Sequence, residues 1–147
     1  MTESEFGKYI VTALKPNIEE ASWTNPIQVA GEGRGGRLLF LDDEVIEGAF
    51  YVETAWSAPR GPEEEPRTVA EAHTHDYDEV LAMFGTDLSN PYDLNGEVEF
   101  WLGNEQHILT RSCIIFIPKG IVHCPLIYRR VEKPIFNFST HAGSMYK

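Results

Sequence analysis

Short runs of alternating apolar and polar residues, each ended by Gly, Pro, Asn or Asp, fill most of the chain. No stretch keeps the 3.6-residue apolar spacing of a long helix, and no segment repeats at a fixed period. Alternation with period two places successive side chains on opposite faces of a β-strand, so the pattern predicts an all-β sandwich or barrel. The predicted strands cover residues 37–41, 45–56, 67–75, 79–84, 97–102, 106–110, 113–117, 122–128 and 135–139, after an edge or exchanged strand at residues 8–14.

The length and charge of the chain restrict its size class and its partners. It has 147 residues with 12 Lys plus Arg against 23 Asp plus Glu, which gives a formal net charge of −11. A chain of this length usually forms one domain, and 42% hydrophobic residues suffice for a core. Because so acidic a protein does not attract a phosphate backbone, we expect no nucleic-acid partner.

The first residues and the cysteines bear on compartment and organisation. The N-terminus lacks the basic and apolar regions of a signal peptide, and the longest apolar run, residues 113–117, is too short to span a membrane. The two cysteines form no C-x-x-C pair. We therefore expect a soluble cytoplasmic protein, with a strand and loop arm over residues 1–36 and a barrel domain over residues 37–147.

The segment around His73, His75 and Glu79 carries the clearest chemistry in the sequence. Residues two apart on a strand face the same way, so the two histidines can present their imidazoles to one point. On a straight strand Glu79 would lie about 13 Å beyond His75, too far to share a metal ion with it. We therefore expect the chain to turn at residues 76–78.

His123 follows a Pro/Gly turn at residues 118–120 and is the candidate for a fourth ligand. Three neutral imidazoles and one carboxylate would leave a divalent ion with a net charge of about +1 and with open coordination positions. Such a site favours an anionic or chelating small-molecule ligand.

The pairing of H-x-H-x-x-x-E with P-x-G-x-x-H resembles the two motifs of the cupin superfamily, over roughly residues 37–140. The resemblance implies a double-stranded β-helix, that is, a cupin or jelly-roll barrel. It also implies one divalent metal ion with His73, His75, Glu79 and His123 as ligands. Four positions depart from the family motifs at turns or near the ligands: Arg67, Gly85, Ser112 and Ile127.

Other polar residues are weaker candidates. Tyr51 and Glu53 share one face of a predicted strand and are candidate catalytic proton-transfer groups, although parity does not show which face lies inside the barrel. Glu71 shares the face of His73 and is either a residue that orients an imidazole or an ordinary wall carboxylate.

The remaining candidates are expected to lie outside the site. Alternation points Cys124 away from His123, which predicts a buried, inert thiol. His107 and His141 are expected to be surface histidines, and residues 86–95 are either a lid or a plain surface loop.

Three functions are compatible with these residues. The first is a mononuclear non-haem Fe(II) dioxygenase. The second is a non-redox isomerase, lyase or decarboxylase that uses Mn, Ni, Co or Zn as a Lewis acid. The third is a module that binds or senses a small molecule without turnover. A fused DNA-binding domain would favour sensing, and the predicted barrel is accompanied by none, so we favour an enzyme. The ligands alone do not separate the first two functions, because imidazole and carboxylate suit several first-row metals; the Fe(II) dioxygenase is placed slightly ahead.

The predicted N-terminal strand also bears on assembly. A strand at residues 8–14 without a hairpin partner would leave an unpaired edge, and such edges seek pairing. The cupin resemblance likewise implies dimers, so we expect a homodimer.

Overall fold

Nine β-strands form two antiparallel sheets in the computed structural model, which describes residues 4–143. They are β1 (Gly36–Leu41), β2 (Tyr51–Ser57), β3 (Arg67–Ala70), β4 (Glu79–Phe84), β5 (Asp93–Leu102), β6 (Glu105–Arg111), β7 (Cys113–Ile117), β8 (His123–Val131) and β9 (Ile135–His141). One sheet has the order β1-β2-β9-β4-β7 and the other the order β3-β8-β5-β6. Without β1 this is the strand order of a double-stranded β-helix, as the cupin resemblance implies.

The core lies between the inward faces of the two sheets. Period-two alternation is clearest on β5, where Leu94, Val98 and Phe100 are buried. These side chains pack with Met83 of β4 and Ile135 of β9. Each fully buried side chain of this size contributes about 1.5 to 3 kcal/mol to the free energy of unfolding.

Most of the predicted strands are confirmed. The bounds of β4 and β7 agree with the prediction, and the predicted hairpin at residues 97–110 is formed by β5 and β6. Strand β5 begins earlier than predicted, at Asp93, because the chain between Gly85 and Asp93 folds into a compact turn. The Ser112 hydroxyl fastens this turn by accepting a hydrogen bond from the Gly85 N–H and donating one to the Pro91 carbonyl.

The strand predicted over residues 8–14 is wrong for this chain. A short 3₁₀ helix covers Gly7–Tyr9, and residues 10–14 pair with no sheet. Tyr9 and Ile10 are exposed, so the alternation here has no core to face. No helix in the described part of the chain is long and apolar enough to cross a membrane.

Two further predicted strands are too long. The carboxylate of Asp42 accepts hydrogen bonds from the N–H groups of Glu44 and Val45, which makes a turn, and β2 therefore begins only at Tyr51. Strand β3 ends at Ala70, after an irregularity in its register with β8. The chain beyond β3 is free to bend toward the metal-ligand candidates.

Residues 20–30 of the N-terminal arm close the open side of the barrel between the edge strands β3 and β1. The Asn25 N–H donates to the Val69 carbonyl at 3.0 Å, and the Arg37 N–H donates to the Gln28 carbonyl at 2.8 Å. Gly36 permits this contact, because its φ is 140° and a Cβ there would clash with the Gln28 carbonyl. The arm therefore forms a wall of the barrel interior.

Candidate metal centre

Three histidine side chains converge at one end of the barrel. His73 and His75 follow β3, and His123 is the first residue of β8. Reciprocal backbone hydrogen bonds of 3.0 and 2.9 Å join His73 to His123, and the His75 carbonyl accepts one from the Gly120 N–H at 2.9 Å. One nitrogen from each imidazole lies within 4.8 Å of the other two, so the three side chains can hold one metal ion.

The backbone fixes the orientation of all three imidazole rings. Each Nδ1 faces a carbonyl oxygen, at 2.7 Å for His73 with Glu71, 3.1 Å for His75 with Tyr77 and 3.0 Å for His123 with Ile121. A carbonyl only accepts hydrogen bonds, so each Nδ1 carries the proton. The Nε2 atoms of the neutral rings are then left with free lone pairs, as metal-binding histidines require.

Glu79 places its carboxylate against these nitrogens. Its Oε1 lies 3.0 Å from His75 Nε2 and 3.6 Å from His123 Nε2. In the neutral tautomers that the backbone sets, these atoms are all acceptors, so the contact of His75 with Glu79 is a hydrogen bond only when His75 Nε2 also carries a proton, and the buried His123 Nε2 has no hydrogen-bond partner among the described residues. A cation in place of that proton would face three imidazole nitrogens, with the Glu79 carboxylate beside two of them, so the residues fit a divalent metal ion.

The turn predicted at residues 76–78 is confirmed. It brings Glu79, the first residue of β4, back to the imidazole of His75. Asp78 joins this turn to the Pro/Gly turn before β8, because its Oδ1 accepts a hydrogen bond from the Lys119 N–H at 2.9 Å. The two sequence motifs are therefore fastened to each other directly.

The charge states of the centre also follow from its surroundings. Burial disfavours the charged imidazole of His73 and lowers its pKa to about 4. Burial opposes the charge on Glu79, but protons on the His123 and His75 imidazoles outweigh it and lower the pKa of the carboxyl to about 2, and a metal cation bound in place of those protons would act in the same direction. At neutral pH, His73 is therefore uncharged and Glu79 is ionised, as metal ligands must be.

A cavity of about 130 Å³ leads inward from the histidines. His73, Glu79 and His123 line one end of it, and the side walls are mainly apolar, with Ile27 of the arm and Leu81 of β4 among them. A small organic molecule in this space would reach the proposed metal ligands.

Tyr51 and Glu53 line the same cavity, so the face of β2 that they share lies inside the barrel. The Tyr51 hydroxyl donates to Glu53 Oε2 at 2.6 Å. The buried guanidinium of Arg37 donates to the other Glu53 oxygen at 2.5 Å and also pairs with Glu20 of the arm. A phenol, a carboxylate and a guanidinium therefore form one chain along the cavity wall.

Trp23 of the arm covers the outer side of the centre. Its ring stacks on His73, with centroids 4.2 Å apart and an interplanar angle of 7°. Its carbonyl accepts a hydrogen bond from the Glu71 N–H at 2.8 Å, which holds the arm in place. The sequence analysis did not identify Trp23, because nothing in a sequence relates it to a histidine fifty positions away.

His141 is buried at 4% exposure, so the expectation of a surface histidine is wrong. It lies opposite Glu79 in the register of β4 with β9; its ring stacks on Tyr51, with centroids 4.6 Å apart, and lies tilted against Tyr77, with centroids 3.9 Å apart. Its Nδ1 accepts a hydrogen bond from the Gly143 N–H at 3.0 Å. The alternation of β9 from Ile135 onward would have placed it on the inward face.

Three other expectations are resolved by the structure. Burial raises the pKa of Cys124 to about 12, so the thiol is inert as predicted, but a φ of 73° breaks the alternation and the residue lines the cavity. The Glu71 carboxylate accepts from the Asn25 amide, and only its backbone carbonyl orients His73. His107 is exposed beside Glu105, as expected.

Residues 86–95 do not line the cavity. Residues 86–92 connect the end of β4 to the start of β5, at the opposite end of β4 from Glu79, whereas residues 93–95 are the first residues of β5 and Leu94 is buried in the core. The interpretation as a plain surface loop therefore holds for residues 86–92 only, and a lid over the proposed metal ligands does not.

Comparison with known proteins finds solved structures that are similar to this chain at low sequence identity. No protein-family model matches the sequence, and no curated protein matches it. An RmlC-like cupin from Shewanella frigidimarina has 14% identity and a TM-score of 0.45, with 88% of this chain and 93% of that chain covered. A protein with a double-stranded β-helix domain from Klebsiella pneumoniae has 17% identity and a TM-score of 0.46, with 88% and 92% covered. An oxalate oxidase in complex with glycolate has 12% identity and a TM-score of 0.47, with 79% and 54% covered.

Proposed function

We propose that the protein is a mononuclear metal-dependent enzyme that acts on a small organic molecule, with an Fe(II) dioxygenase as the favoured reaction class. The observation that carries this proposal is the convergence of one nitrogen from each of three imidazoles, with the Glu79 carboxylate beside two of them and the buried His123 Nε2 without a hydrogen-bond partner among the described residues. His73, His75, Glu79 and His123 would hold the ion. A bound Fe(II) would supply the redox chemistry, whereas Mn, Ni, Co or Zn would supply a Lewis acid.

The donor set supports a catalytic site more than a structural one. Structural zinc sites are usually closed tetrahedra rich in cysteine, whereas these donors are imidazoles and a carboxylate. Burial keeps the nearby Cys124 protonated, so it is not a competing thiolate ligand. The cavity beside the histidines provides space for a substrate to approach the ion.

The protein groups of the cavity wall would bind and orient the substrate and move protons. Tyr51 can donate its hydroxyl proton to a substrate oxygen, and Glu53, which accepts from that hydroxyl at 2.6 Å, can take a proton in return. Arg37 keeps the Glu53 carboxylate directed at the phenol. Trp23 and the arm exclude water from the outer side of His73.

The Tyr51–Glu53 pair favours a second candidate, a non-redox isomerase, lyase or decarboxylase. Such reactions need a proton donor and acceptor beside a Lewis acid, and no electron transfer. The two candidates share the ligands and differ in the metal and in the use of dioxygen. A binding or sensing module is the alternative if no turnover occurs.

The test begins with metal-free protein loaded anaerobically with Fe(II). Nitric oxide added to this form should give a high-spin iron-nitrosyl signal by electron paramagnetic resonance, because an open site admits an exogenous ligand. A screen of small organic acids should then reveal a compound that stimulates oxygen uptake. The His123→Ala variant should lack both responses, whereas His107→Ala, an exposed histidine, should keep them.

The outcomes separate the candidates. Solvent-deuterium exchange into a screened acid with Mn or Zn, without oxygen uptake with Fe, would contradict the dioxygenase and support the non-redox enzyme. Saturable binding without either reaction would favour the binding module. A fully loaded protein without a nitrosyl signal would contradict an open metal site.

A further inference from the structure

The cavity continues well beyond the histidines, toward the other end of the barrel. On β2 it is lined from Tyr51, near the proposed ligands, to Ser57, six residues and roughly 20 Å further along the strand. On the facing sheet, Arg67 of β3 and Tyr128 of β8 line this far end and lie opposite each other in the register. A ligand therefore meets a second polar region away from the metal centre.

Most polar groups of this far end are satisfied by one another. The Tyr128 hydroxyl donates to the Asn137 side-chain carbonyl. The Asn137 amide donates to the Ser57 hydroxyl at 3.0 Å and to the Ile135 carbonyl at 3.2 Å. Because these groups bond to one another, they have few hydrogen-bonding positions left with which to bind a charged group of a ligand.

Arg67 differs from the other charged groups of the cavity. The guanidinium of Arg37 is paired with Glu20 and Glu53, and the Glu79 carboxylate faces His75 and His123. Over residues 4–143 the half-buried Arg67 side chain lines the cavity without an ion pair or hydrogen bond, and its electrostatic contact is with the uncharged Tyr128 phenol opposite it in the register. A guanidinium beside an apolar space is stabilised by an anion that accepts its hydrogen bonds.

We propose that Arg67 binds the carboxylate of the substrate, and that the substrate class is a small organic acid with an apolar body. The planar guanidinium fork matches the two oxygens of a carboxylate, and the apolar wall formed by Val69, Leu81 and Leu126 suits the body of such an acid. This inference rests on the proposed function, because it takes the cavity to be the substrate site. It adds an anion subsite that is separate from the metal.

The test uses metal-free protein, so that a carboxylate cannot bind to an ion instead. Isothermal titration calorimetry with hexanoate and with its neutral analogue hexanamide measures the preference for the anion. The wild type should bind hexanoate at least tenfold more tightly, and Arg67→Gln should reduce that preference to within about twofold. Arg67→Lys should keep part of it, because it retains the charge without the fork.

The matched control is Arg111→Gln, since Arg111 lies at the end of β6 and contacts Tyr92, away from the cavity. Its preference should equal that of the wild type. Equal affinities of the wild type and Arg67→Gln for hexanoate, or no binding of hexanoate by the wild type, would overturn the proposal.

Metal content of the same variants distinguishes this failure from failure of the proposed function. Arg67→Gln should still bind one equivalent of Zn(II) and keep its melting temperature, which also shows that it folds. A normal metal content with an unchanged hexanoate preference would overturn only the Arg67 subsite. Loss of metal binding in the wild type itself would overturn the proposed function.

Discussion

The buried guanidinium of Arg37 links the arm to the candidate proton-transfer residues, and its removal should be costly. Arg37 is 5% exposed, and its partners Glu53 and Glu20 have side chains 13% and 31% exposed. The two carboxylates outweigh the burial and raise the pKa of Arg37, so it is charged at every accessible pH. Arg37→Met keeps the apolar stem and removes the charge.

The magnitude follows from the different exposure of the two carboxylates. Breaking a buried ion pair by removing one partner costs about 3 to 5 kcal/mol, because the other charge stays buried and unpaired. Glu20 can turn toward water, and Tyr51 still donates to Glu53, which places the loss at the lower end, about 3 kcal/mol. For a domain of this size that loss lowers the melting temperature by roughly 6 to 12 °C.

Chemical denaturation of four proteins measures this interaction. Arg37→Met, Glu53→Gln and the double variant complete a double-mutant cycle with the wild type, and we expect a coupling energy of at least about 1 kcal/mol. Arg34→Met is the control, because Arg34 is exposed and lies 3.8 Å from its partner Glu32. A loss below about 1 kcal/mol in Arg37→Met, or strict additivity in the cycle, would refute the reasoning.

Three further predictions concern the surface, the arm and the thiol. The homodimer remains a proposal. Sedimentation should show a dimer for the wild type and a monomer when Ile114 and Phe116, both exposed on β7, are replaced by Asp; a monomeric wild type would contradict the proposal. Co(II) should quench the fluorescence of Trp23 stacked on His73, and Trp23→Phe should bind Co(II) with much less quenching. Cys124, whose pKa is about 12, should resist iodoacetamide at pH 8 in the folded protein; rapid alkylation would refute its burial.

The proposed metal ligands of the first motif could be found from the sequence because local geometry determines their convergence, whereas His123 is related to them by the resemblance of the two motifs to the cupin superfamily. His73 and His75 lie two positions apart, and the distance to Glu79 requires a turn that three polar residues supply. His123 follows a Pro/Gly turn at the start of a strand. The turn at residues 76–78 and the start of β8 at His123 need only strand spacing and turn chemistry, whereas the pairing of the two motifs is a long-range contact.

The rest of the site depends on contacts between distant parts of the chain. Trp23 reaches His73 only because the arm closes the gap between β3 and β1, which no periodicity records. Residues 8–14 alternate like a strand without a face to bury, so pattern alone could not predict their structure. Parity could place Tyr51 and Glu53 on one face, but only the sheet order shows that this face lines the cavity.

The most direct test of the account is the metal content of the protein purified without chelator or a metal-binding tag and then loaded with Zn(II). Elemental analysis should give about one ion per chain for the wild type and for His107→Ala, and far less for His73→Ala and His123→Ala. The loaded wild type should also melt at a higher temperature than the metal-free protein, because binding to the folded state stabilises it. One ion per chain in both ligand variants, or none in the wild type, would contradict the central claim that these histidines hold a metal.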